Sequence, residues 1–151
     1  MRQPEKAEPL WREHAAFRRD EAGADSQLYT LVLAALGANL LHQQKPADAE
    51  PILHESLLIR EKSEPDAWTT FNTQSMLGGS LLGQKNYADA EPLLLAGYEG
   101  MKEREAKIPP QGKPRLTEAL ERLVQLYDAW GKPDQGAEWR GRLEETKAEA
   151  K

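Results

Sequence analysis

Three histidines are the residues of this sequence that first suggest metal chemistry. His14, His42 and His54 would suit zinc if two of them stood one helical turn apart, but none has another histidine four residues away. A metal site is therefore not predicted. We expect His42 to lie in a groove and the other two to lie at the surface or between helices.

The segment 78–83 (GGSLLG) superficially resembles the loop that carries a nucleophilic serine. A nucleophile elbow needs glycine two residues on either side of the serine, and residue 82 is leucine. The segment is not a phosphate-binding loop either, because no Gly-Lys-Ser/Thr follows it. The acidic pair Glu144-Glu145 falls where a solvated helix face is expected. The sequence thus predicts no catalytic residue and no cofactor, and a stand-alone enzyme is the least favoured function.

Composition restricts the class of partner. The chain has 151 residues, of which 25 are acidic and 20 basic, giving a formal net charge of −5. This charge argues against binding to nucleic acid or to an anionic membrane. The absence of cysteine excludes disulfides, thiolate metal sites and cysteine nucleophiles. No signal peptide is predicted, and the longest uncharged stretch, 26–44, carries enough polar side chains to indicate a buried helix. A cytoplasmic location is the default expectation.

An internal repeat is the clearest feature of the chain. Leu36-Gly37 and the segment 47–53 (ADAEPIL) recur 41 residues later as Leu77-Gly78 and the segment 88–94 (ADAEPLL). A weaker third copy follows after a further 46 residues, and a fragment at the front places 7–10 (AEPL) 42 residues before 49–52 (AEPI). The chain is therefore predicted to be an array of one repeated unit and to open in the middle of that unit.

The repeated unit is predicted to be a helical hairpin, because apolar residues in 28–40 follow the three-to-four spacing of a helix face. We predict a lone helix over 5–20 and then three hairpins: 26–44 with 47–62, 67–85 with 88–107, and 114–130 with 134–149. Gly23 and Asp25-Ser26 are the predicted stop and N-cap before the first hairpin. Proline lacks an amide donor, so Pro51 and Pro92 are expected in the first turns of their helices.

The leucine, glycine and small-residue positions of two hairpins resemble the tetratricopeptide repeat (TPR). The matching residues are Leu36, Gly37, Leu40, Ala49 and Leu53 in one, and Leu77, Gly78, Leu81, Tyr87, Ala90 and Leu94 in the next. The long period, the Ala-Glu-Pro-Leu type of segment and residues 59–62 (IREK) followed by Pro65-Asp66 are similar to the kinesin light chain type of this repeat, common also in bacterial proteins.

The resemblance covers nearly the whole chain and implies an all-α fold. The expected architecture is a right-handed superhelix of antiparallel helix hairpins with about three and a half repeats. Its parts would be a half repeat over 5–20, repeats over 26–62 and 67–107, and a divergent C-terminal repeat over 114–149 whose last helix caps the array.

The resemblance also implies that a protein or peptide binds in a concave groove lined by the first helices of the hairpins. The groove positions would be Leu31, Ala34, Ala38, His42, Asn72, Ser75, Gly79, Gly83, Glu118, Glu121, Gln125 and Asp128. None of these is lysine or arginine, so a clamp for a C-terminal carboxylate is not expected. Acidic residues at one end predict a partner that is apolar in one part and basic in another.

Cargo recognition of the kinesin light chain type is not implied, because the paired asparagines that hold peptide there are replaced by Ala34-Ala35, Ser75-Met76 and Glu121-Arg122. Two functions remain open. The first is a protein-interaction scaffold of bacterial type. The alternative is a C-terminal docking or regulatory segment of a larger bacterial signalling protein such as a Ser/Thr protein kinase.

The helix over 5–20 is expected to occupy the place of a second helix whose own first helix this sequence does not contain. We expect one face of it to turn toward that missing helix (Ala7, Trp11, His14) and the opposite face to pack on the next helix (Leu10, Ala15, Phe17). Apolar surface around Trp11 would then be open to self-association through this end.

Overall fold

The computed structural model describes residues 4–24 and 26–151. This part of the chain folds into seven α-helices and contains no strand, which confirms the expected all-α class. The helices are α1 (Pro4–Ala22), α2 (Gln27–His42), α3 (Pro46–Ser63), α4 (Trp68–Gly83), α5 (Tyr87–Glu103), α6 (Pro114–Ala129) and α7 (Pro133–Glu149), and two 3-10 turns, Glu105–Lys107 and Pro110–Gly112, join α5 to α6. Among the described residues, no helix is both long enough and apolar enough to cross a membrane.

The helices form two layers of a solenoid. Each helix packs on the next one along the chain, and α4 also contacts both α2 and α6. The first helices of the hairpins (α2, α4, α6) therefore make one layer, and α1, α3, α5 and α7 make the other. A layer of neighbouring first helices is the surface on which the groove was predicted.

Glycine on a first helix and leucine on the following second helix meet in two of the hairpins. Leu53 and Leu94 are completely buried. A Cβ atom added at Gly37 would overlap the Leu53 side chain, and one added at Gly78 would lie 2.8 Å from Cδ2 of Leu94. The repeated Leu-Gly pairs of the sequence thus allow the close approach of the two helices of each hairpin.

The predicted N-cap of α2 is partly confirmed. The Oγ of Ser26 accepts a hydrogen bond from the backbone N–H of Tyr29 at 3.1 Å. Asp25, the other residue of the predicted cap, lies outside the described residues. The positions predicted for the two prolines were wrong by one turn, because α3 begins at Pro46 and α5 at Tyr87, which places Pro51 and Pro92 in the second turn of each helix.

The face by which α1 packs on α2 also differs from the prediction. Ala15 is buried as expected, and Trp11, one turn earlier, packs with it against buried residues of α2. Leu10 and Phe17 are instead 67% and 56% exposed. In this rotation of α1, Glu8 accepts hydrogen bonds from Lys45 at 2.9 Å and from Gln43 at 3.0 Å.

Candidate functional site

The inner layer encloses a groove that contains two adjoining cavities of about 260 and 240 Å³. Both cavities are bordered by Leu41, His42 and Arg122. Most of the predicted groove residues line one or the other, namely Leu31, Ala34, Ala38, His42, Asn72, Gly79, Gly83, Glu118 and Gln125. Because many of these side chains are small or absent, the surface between the helices stays open.

Three predicted groove residues lie elsewhere. Ser75 is completely buried beneath the groove floor. Glu121 lies 3.8 Å from Lys147 of α7 and borders a separate cavity at the C-terminal end of the array. Asp128 pairs with Arg140 of α7 at 2.6 Å. Both acidic side chains turn toward α7 because they are seven residues apart and share a helix face that is rotated away from the groove.

The groove is therefore less acidic than the sequence suggested. Glu118 does line it, but Arg115 contacts both of its carboxylate oxygens, at 2.6 and 2.8 Å. The acidic residues predicted at this end are each beside a basic side chain. A preference for a basic partner consequently loses its structural basis.

Arg122 is the groove residue that the sequence reasoning missed. It borders both cavities, it is half-buried, and its Nη1 donates a hydrogen bond to Oγ of Ser75 at 3.0 Å. Its side chain crosses α4 at Gly79, where an added Cβ would lie 3.0 Å from Nε of Arg122. The spacing of Arg115, Glu118, Arg122 and Gln125 is that of one helix face and could have revealed this stripe.

The guanidinium of Arg122 is not neutralised. In residues 4–24 and 26–151, no carboxylate oxygen lies within 4.0 Å of its nitrogens, and its hydrogen bond goes to a neutral hydroxyl. Burial lowers the pKa of Arg122, although Glu118 and Glu121 act in the opposite direction from farther away. A second polar atom, Oδ1 of Asn72, is buried, and among the described residues it has no hydrogen-bond partner. The groove thus offers a partly desolvated cation.

The histidines lie apart from one another. His42 is exposed at the groove, and His54 is exposed on α3. His14 stacks on Trp11 with ring centroids 6.2 Å apart and accepts a hydrogen bond from Arg18 at 3.0 Å. Within the part of the chain that the structure describes, no three histidine, aspartate or glutamate side chains are grouped so as to hold a metal ion.

Known structures share this architecture. The chain is similar to BtubC (BKLC) from P. vanneervenii, with a TM-score of 0.78 and 13% identity over 97% of this chain and 57% of that chain. It is also similar to a putative kinesin light chain of Podosopora anserina with nearly identical TPR-like repeats, with a TM-score of 0.72 and 14% identity over 98% of this chain and 68% of that one.

No protein-family model and no curated protein matches the sequence. The chain spans little more than half the length of BtubC (BKLC). At these identities the similarity concerns the fold alone. That fold is a solenoid of TPR-like helix hairpins, as the sequence resemblance predicted.

Proposed function

We propose that this chain is a protein-interaction module whose concave groove binds an extended segment of a partner protein, and that an acidic group of the segment pairs with Arg122. The observation that carries this proposal is the unneutralised guanidinium of Arg122 at the border of both cavities. The TPR-like fold supports the broader role, since such solenoids are typically interaction scaffolds.

The chemistry of the groove favours an anion at this place. A half-buried guanidinium has lost part of its hydration. A carboxylate can make up for the lost water contacts with two charge-assisted hydrogen bonds. The wall formed by Leu31, Ala34 and Ala38 on α2 is uncharged, so the rest of the segment would place apolar side chains or backbone there.

This proposal replaces two expectations from the sequence. A basic partner was inferred from Glu118, Glu121 and Asp128, which are beside basic side chains in the structure. Indifference to a C-terminal carboxylate was inferred from a groove without cations, and Arg122 is such a cation. The role as a docking segment of a larger signalling protein stays a prediction, and the same groove would serve it.

The test is a selection of phage-displayed random peptides on the purified chain, followed by affinity measurements on the enriched peptides. We expect these peptides to share an aspartate, a glutamate or a required free C-terminus. Arg122→Gln should weaken the binding of these peptides at least about tenfold, because removing one partner of a desolvated charge pair costs binding free energy. Ala38→Trp, which fills the groove, should abolish binding.

Two matched variants serve as controls. Ala88→Trp places the same indole on an exposed position of α5, outside the groove, and should leave affinity unchanged. Arg115→Gln removes a groove arginine that is already paired with Glu118 and should have a small effect. Peptides that bind the Ala38→Trp variant as tightly as the unchanged chain would refute binding in the groove. Peptides whose affinity is unaffected by Arg122→Gln would refute the role of the arginine.

A further inference from the structure

His42 and Arg122 border the same two cavities of the groove from different helices, α2 and α6. The walls to which they belong approach each other over Gly79 of α4. A Cβ atom added at Gly79 would lie 3.0 Å from Nε of Arg122 and 3.9 Å from Cδ1 of Leu41, the residue before His42. A segment that occupies either cavity would therefore lie beside both the guanidinium and the imidazole.

The imidazole of His42 is not needed to build the array. The offsets of the repeat place Gly83 and Ala129 at the same position of the next two hairpins, so these hairpins form without a side chain of this kind. His42 is exposed, and it forms no hydrogen bond and no ion pair within residues 4–24 and 26–151. Its imidazole is therefore available to a partner that enters the groove.

The charged groups around His42 come from α1 and α6. Lys6 of α1 borders, together with His42, the space between α1 and α2. Arg115, Glu118 and Arg122 of α6 border the smaller of the two groove cavities with it, and Glu118 is already paired with Arg115. The residues that α3 and α4 contribute to the two cavities are uncharged. These surroundings are more basic than acidic, so a carboxylate that enters them can pair with a protonated imidazole as well as with the guanidinium.

We propose that His42 is a second anchor for the acidic group of the partner segment, so that the groove binds this segment more tightly when the imidazole is protonated. This inference rests on the function proposed for the groove. Histidine changes its charge between about pH 5 and about pH 8, a range in which exposed carboxylates stay largely ionised. If the complex holds more protons than the free chain and free peptide together, the affinity rises as the pH falls. The partner is thus an acidic segment whose capture strengthens in a mildly acidic medium.

Fluorescence polarisation with the most enriched acidic peptide of the phage selection tests this role. The affinity of the unchanged chain should rise about three- to fivefold between about pH 8 and about pH 5.5, since an ion pair to an exposed side chain is weak. His42→Gln should remove this rise. His42→Lys supplies a charge that does not titrate in this range, and it should bind at every pH about as tightly as the unchanged chain does at the acidic end.

His54→Gln is the matched control, because His54 is exposed on α3 and borders neither cavity; this variant should keep the full dependence on pH. The same peptide with its acidic group converted to the amide should bind weakly at every pH. An affinity that does not vary with pH, or that varies equally in His42→Gln, would overturn the role of His42 while the dependence on Arg122 stands. Peptides that do not depend on Arg122 at all would refute the proposed function and the role of His42 together.

Discussion

At the scale of single residues, two glycines set the distance between the helices of their hairpins. Gly37 lies against Leu53 and Gly78 against Leu94, with space for hydrogen only. We expect Gly78→Ala to lower the free energy of unfolding by about 1–3 kcal/mol, because the added methyl group overpacks a buried contact. Urea denaturation followed by circular dichroism measures the change.

Gly141 is the matched control for this substitution. It lies inside α7, it is exposed, and a Cβ added there would meet no atom within 4 Å. Gly141→Ala should raise the free energy of unfolding by about 0.5–1 kcal/mol, since alanine is the better helix former. Equal effects of the two substitutions would show that hairpin packing does not depend on the glycine at position 78.

At the scale of secondary-structure elements, a polar cluster holds α1 to the turn between α2 and α3. Hydrogen bonds from Lys45, Arg12 and Gln43 lower the pKa of Glu8 to about 2. A lowered pKa means that the ionised carboxylate stabilises the folded state above the ordinary value of 4.5, and that this stabilisation is lost as the pH falls toward 2.

The corresponding prediction concerns Glu8→Gln. The urea midpoint of this variant should lie below that of the unchanged chain at neutral pH. The gap should narrow as the pH falls below 4.5 and should close near pH 2. Glu13→Gln alters an exposed carboxylate of α1 that forms no ion pair within the described residues, and the urea midpoint of this variant should equal that of the unchanged chain. A Glu8→Gln gap that does not vary with pH would mean that ionisation of Glu8 plays no part in holding α1.

At the scale of the whole molecule, the core is divided along the solenoid rather than concentrated at one centre. One cluster of buried residues spans α5, α6 and α7, while Leu36, Leu53 and their neighbours form another nearer the N-terminus. Trp139 belongs to the first cluster and packs edge-on against Tyr98, with ring centroids 5.3 Å apart. A destabilising substitution at one end of the solenoid should therefore weaken the adjacent helices first.

Trp139→Ala tests this division. It should lower the free energy of unfolding of the C-terminal hairpin by about 3–5 kcal/mol, because a large buried side chain is removed. Hydrogen exchange measured by mass spectrometry should show faster exchange in α5, α6 and α7, with α2 and α3 little changed. Uniform acceleration along the whole chain would indicate a single cooperative unit instead.

The sequence by itself determined the helices, their order and the contacts that repeat. The copies of Leu-Gly 41 residues apart predicted the two hairpins, and the structure shows that both partners of each glycine contact belong to the repeated pattern. The small residues of the groove on α2 and α4 were predicted from the same pattern. The predicted starts of these second helices, 47 and 88, were within one residue of the observed ones, but Pro51 and Pro92 lie in the second turn of their helices rather than in the first.

Only the tertiary structure decided how α1 and α6 are rotated and where their charged side chains point. Glu121 and Asp128 turn from the groove because Lys147 and Arg140 lie on α7, in the most divergent copy of the repeat. Arg122 enters the groove through a contact with Ser75, which lies 47 residues earlier in the chain. Such rotations depend on contacts between residues far apart in sequence, whereas helix formation and the repeated contacts are encoded in local patterns.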